Sequence, residues 1–151
     1  MKGQQVIEPR FLEYQYVETV LLHLDGYYTG GQPLNTNERA YFDPNSIKRG
    51  RRVIAIENVA YDAAFQYNGV TILASALPGG VSRFTLTMCD DQNNELIKNL
   101  PCMELNPVVT FGRIRIFNII PDLEKCFVTN TSTPIAQTNR GLLFNFYTVD
   151  W

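Results

Sequence analysis

One histidine, His23, stands in the whole chain of 151 residues. Nucleophilic hydrolysis needs a positioned nucleophile, a base and a group that orients the base. Every histidine-based scheme would run through His23, and it sits in the apolar stretch Leu22-His23-Leu24. A structural histidine is the expectation, and no enzymatic activity is expected. Cysteine is equally sparse. Cys89, Cys102 and Cys126 are odd in number, so full intrachain pairing is excluded, and no C-x-x-C pair offers the spacing of a zinc site. The expected state is free, partly buried thiols in a reducing compartment. Long apolar runs are missing too. Val20-Leu21-Leu22-His23-Leu24 is far too short to span a bilayer, and Met1 to Arg10 has no signal-peptide core. The reading is therefore no membrane span, no signal peptide and synthesis in the cytoplasm. Charged residues make up 19% and the net charge is −2, which gives no overall case for nucleic acid as a partner. Sustained helical periodicity, internal repeats and low-complexity tracts are also lacking.

What is present is apolar–polar alternation. Phe84-Thr85-Leu86-Thr87-Met88 and Gly112-Arg113-Ile114-Arg115-Ile116 alternate at the strand period. Further strand-like runs cover 15–24, 53–61, 70–77, 123–130 and 141–149. Turn signals fall between them, at Phe42-Asp43-Pro44-Asn45-Ser46, Pro78-Gly79-Gly80 and Pro121-Asp122. Asp90 to Asn94 reads as the polar tip of a hairpin. The prediction is an all-β chain: a single jelly-roll-like antiparallel β-sandwich of about eight strands. It fills residues 1–151 as one domain, with 1–13 an extended N-terminal arm or first strand. Residues 25–37, rich in glycine, read as a long loop, and loops of that length are often functional.

The acidic tip could offer oxygen ligands through Asp90, Asp91, Asn93, Asn94 and Glu95. It lacks the alternating spacing and central glycine of a calcium loop, so no metal and no cofactor are expected. The one basic cluster is Lys48, Arg49, Arg51 and Arg52 around Gly50. It reads as a phosphate contact or, preferably, as charge that pairs across subunits or stays solvated. Arg113 and Arg115 share one strand face, opposite Ile114 and Ile116, and are read as outward-facing charges that either pair between subunits or solvate the sheet. Tyr27 and Tyr28, beside Gly26 and Gly30, are candidate contact aromatics. The candidate interface is thus Tyr27, Tyr28, Arg49, Arg51, Arg52, Arg113 and Arg115.

Several phrases in order carry a resemblance: Phe42-Asp43-Pro44, Gly50 to Glu57, Phe84 to Thr87, Glu95 to Pro101, Arg113 to Asn118, Glu124 to Val128 and Phe144 to Tyr147. Over about residues 42–149 the chain resembles small virion structural proteins of bacteriophages. The resemblance implies a β-sandwich serving as a minor capsid, penton, spike-base or cement subunit. Its partners would be copies of itself and other virion proteins, and its location the virion. It brings no catalytic residues. The rival expectation is a carbohydrate- or receptor-binding sandwich, with Tyr27, Tyr28, Gln32, Asn35 and Asn37 meeting a glycan.

Overall fold

The computed structural model describes residues 6–23, 35–58, 65–67, 70–72, 84–107, 109–132 and 141–150. Among them are eleven strands and no α-helix. Nine strands form two antiparallel sheets. The five-stranded sheet joins β1 (Val6–Ile7), β2 (Tyr16–His23), β4 (Arg52–Asn58), β9 (Ile114–Ile119) and β11 (Gly141–Val149), in the order β1-β9-β4-β11-β2. The four-stranded sheet joins β3 (Arg39–Tyr41), β7 (Phe84–Cys89), β8 (Glu95–Pro101) and β10 (Phe127–Asn130), in the order β3-β10-β7-β8. A separate hairpin pairs β5 (Phe65–Tyr67) with β6 (Val70–Ile72).

Both sheets contribute to one core. Val20, Leu22, Val53, Ile56, Leu142, Phe144 and Phe146 come from the larger sheet, and Phe84, Leu86, Met88, Ile97, Leu100 and Val128 from the smaller. β11 shows why alternation sets this architecture. Leu142, Phe144, Phe146 and Thr148 are buried, while Leu143, Asn145, Tyr147 and Val149 between them are half-buried. Phe42, just past β3, stands edge-on to Phe144 at 5.5 Å and to Phe146 at 5.8 Å. That aromatic contact ties the end of β3 to the middle of β11, and such pairs add to plain area burial.

β4 departs from simple alternation. Its pairing slips between Val53 and Ala55 against β9, and beside Tyr147 and Thr148 against β11. A bulge of this kind re-aims successive side chains. As a result Val53, Ala55 and Ile56 are all fully buried, as an apolar central strand requires.

The expected polar hairpin tip is present between β7 and β8. Asp90 accepts hydrogen bonds from the backbone of Gln92 and Asn94 and from the Asn94 side chain, each at 2.9 Å. The same bonds lower its pKa, those from Asn94 first. Asp90 therefore organises the turn with its own oxygens. The 102–106 segment between two prolines is a 3-10 turn, Cys102–Leu105. The arm is a first strand at Val6–Ile7, paired antiparallel with the start of β9.

Candidate interaction site

The basic cluster does not act as one patch. Gly50, at φ +86, takes a left-handed turn that a side chain would strain. The turn sends Arg51 inward, and its side chain is only 14% exposed. There its guanidinium pairs with Glu18 and, at 3.3 Å, with Asp150. It also lies 3.7 Å above the ring of Tyr16. The Tyr16 hydroxyl donates to Asp150 at 2.9 Å. That bond, with the Arg51 charge behind it, holds the Asp150 carboxyl below the usual range. The same bond and the Asp150 charge push the Tyr16 phenol up, against the opposing pull of Arg51. Arg51 thus closes the corner where β2 begins and β11 ends. Against the expectation that Arg51 pairs across subunits or stays solvated, its charge is paired inside the chain.

Arg52 donates instead to Asn118 on β9. Arg49 stays exposed with Lys48. These two line one wall of a cavity of about 390 Å³. Pro44, Ile47, Pro121 and Leu123 give the cavity its apolar lining, and Asp122 and Glu124 are its acidic residues. The acidic segment is held by its own caps. Asp122 accepts from the Glu124 amide at 3.2 Å, and the Asp122 amide donates to the Cys89 carbonyl at 2.9 Å.

The outward orientation expected for Arg115 requires correction. Its pairing with Ile56 places it on the core side of β9, in line with Phe117 and Ile119, which pack on the core. It is half-buried, and its Nε donates to the Glu104 carbonyl of the 3-10 turn at 3.4 Å. Ile114, on the other face, is 1% exposed. Alternation alone separates two faces; register with the neighbouring strand decides which one is inside. Arg113 precedes β9 and is exposed, as expected. Tyr27 and Tyr28 lie outside the described residues.

The most unusual surface feature is a residue absent from the expected set. Phe111 is 93% exposed and has φ +55. An aromatic side chain in the left-handed region costs about 1 kcal/mol or more. The segment around it is braced. Val109 and Thr110 amides donate to the Asn106 carbonyl, Gly112 to Pro107 at 2.8 Å and Arg113 to Thr110 at 3.1 Å. The Thr110 hydroxyl donates to the Arg113 carbonyl at 2.5 Å. Phe111, Gly112 and Arg113 share a concavity with Glu8, Pro9 and Arg10 of the arm. Arg10 pairs with Glu8 at 2.7 Å and covers the ring of Phe11, itself 64% exposed. Two exposed rings and two arginines thus meet where the arm joins β9.

The cysteines carry no lowered pKa. Burial pushes Cys126 up to about 12, and Cys102 and Cys89 upward as well. The thiolate is the reactive form, so these sulfurs behave as core atoms. Cys126 Sγ accepts from the Cys89 amide at 3.4 Å. No protein-family model, curated protein or solved structure matches the chain.

Proposed function

We propose that the chain is a virion structural protein, a capsid-associated subunit that works through protein–protein contacts. The observation that carries this reading is the strand order. Leaving out β1 and the β5–β6 hairpin, eight strands remain, ordered β9-β4-β11-β2 in one sheet and β3-β10-β7-β8 in the other. Successive strands β2, β3 and β4 alternate between the sheets, and so do β9, β10 and β11. This order supports reading the chain as a jelly roll, in which two Greek keys interleave, an architecture recurrent in viral capsid domains. The bacteriophage resemblance of the sequence points the same way.

Lectins also use jelly rolls, so the glycan reading shares the fold. Its candidate groups support it less. Asn35 donates its amide to Glu38, and Asn37 takes a left-handed turn at φ 65 beside it. Tyr27, Tyr28 and Gln32 lie outside the described residues. An exposed ring on a braced loop suits a protein partner, because a rigid aromatic is buried at small entropic cost.

The test is to purify particles of the virus that encodes this chain on a density gradient and weigh the chain's copy number by quantitative mass spectrometry. Many copies per particle are expected, retained after nuclease treatment. A chain abundant in infected cells but missing from particles overturns the reading.

A further inference from the structure

We infer that Phe111 is the knob of a head-to-tail contact, received by the cavity between residues 44–51 and 121–124 of a second copy. The inference rests on the virion-subunit reading and names the partner and the contact. Both features are tethered to β9. The Phe111 loop enters it at Ile114, and the acidic wall of the cavity leaves it after Ile119. Six residues at about 3.3 Å each separate them by roughly 20 Å. Knob and cavity therefore lie at opposite ends of one strand, and the ring cannot reach the cavity of its own chain. A neighbour's ring can.

Size and charge agree. The cavity of about 390 Å³ exceeds the ~150 Å³ that accommodates a benzene ring. Pro44 and Pro121, with the edges of the buried Ile47 and Leu123, give an aromatic guest an apolar strip among the charged lining. Beside the knob stands the exposed Arg113, and at the cavity stands the exposed Glu124. Neither has an ion-pair partner among the described residues. Seating Phe111 brings these opposite charges together. Lys48 and Arg49 on the other wall repel Arg113, which sets the orientation of the incoming loop. A contact between two different patches is heterologous, so it builds closed rings or open chains instead of stopping at a dimer.

The test uses full-length protein, light scattering and pull-down. Wild-type protein is expected to form species larger than a dimer over a concentration series. Phe111→Ala and Glu124→Arg alter exposed side chains, and each alone should weaken association by roughly thirtyfold, the scale of an interface hot spot. Mixed together, they should form a one-to-one complex, because the first variant keeps its cavity and the second its knob. Tagged Phe111→Ala should then capture Glu124→Arg but not untagged Phe111→Ala. Arg113→Glu combined with Glu124→Arg should restore association. A monomeric wild type, or a mixture that stays unassociated, overturns the head-to-tail contact. If the chain is still abundant in particles, the subunit reading stands without this contact. If it is absent from them, the subunit reading fails whatever the solution mass.

Discussion

Arg51 and Phe111 each sit on the wrong side of the usual partition. The charge is inside, with its side chain 14% exposed, and the ring is outside, 93% exposed. The two inversions differ in how the chain answers them. Around Arg51 everything is supplied internally: two carboxylates, and Tyr16, whose ring faces the guanidinium and whose hydroxyl orients one carboxylate. Around Phe111 the chain supplies only the brace. Hydrogen bonds hold the loop in a strained conformation, and the ring itself is left to solvent. A compensated inversion is architecture. An uncompensated one, kept at an energetic cost, points to a partner outside the chain.

The largest effect should come from breaking the compensated side. Arg51→Met keeps an unbranched stem and removes the charge, leaving Glu18 and Asp150 facing each other. Breaking a fully buried pair costs ~3–5 kcal/mol. Asp150 is half exposed, so solvent screening trims the expected loss to about 2 kcal/mol. For a domain of this size that lowers Tm by roughly 4–8 °C. Urea unfolding gives the number. A loss within experimental noise would make the corner an ordinary solvated surface pair and dissolve the contrast with Phe111.

The contrast also marks what could be read from sequence. The strands were legible because period-two alternation is a local property, and the run 141–149 matches β11 end to end. The hairpin tip was legible from Asp90 to Asn94, since short polar side chains build such turns themselves. Arg115 was misread because alternation does not say which face meets the core; Ile56, distant in sequence, decides that through register. The division of the arginine cluster was not legible, because the turn at Gly50 sends Arg51 inward and leaves Arg49 out. Phe111 gave almost no signal. Phenylalanine does not encode a left-handed conformation; the set of hydrogen bonds among residues 106–113 holds it there. The strand order depends on crossovers between the two sheets that no local pattern contains.

A smaller effect sharpens the uncompensated side by separating strain from the ring. Phe111→Gly removes both, and Phe111→Ala removes the ring but keeps the strained Cβ. The glycine variant should be the more stable of the two by about 0.5–1 kcal/mol, since relief of left-handed strain outweighs the extra chain entropy of glycine. It should match or exceed wild type in urea. Both variants should lose association equally. If glycine is less stable than alanine, the loop is not strained at this position, and the conformation of Phe111 says nothing about function.

The smallest effect lies in pH dependence and probes the Arg51 corner without dismantling it. Asp150 is held low, first by the Tyr16 hydroxyl and then by Arg51, and Tyr16 is held high by the same bond. The signs follow from linkage. A lowered carboxyl stabilises the fold above its unfolded pKa, near 3.9, and that contribution fades as pH falls through the lower folded value. A raised phenol stabilises the fold below its unfolded pKa, near 10, and fades as pH rises through the higher folded value. One hydrogen bond therefore shapes both ends of the stability profile. Tyr16→Phe should flatten the profile at both extremes and move the Asp150 carboxyl up toward its ordinary range in an NMR titration. Asp90→Asn, at the β7–β8 turn where the lowered pKa owes most to Asn94, should flatten only the acid end. If Tyr16→Phe leaves the Asp150 titration in place, Arg51 alone governs that carboxylate, and the tyrosine contributes only the ring on which the guanidinium rests.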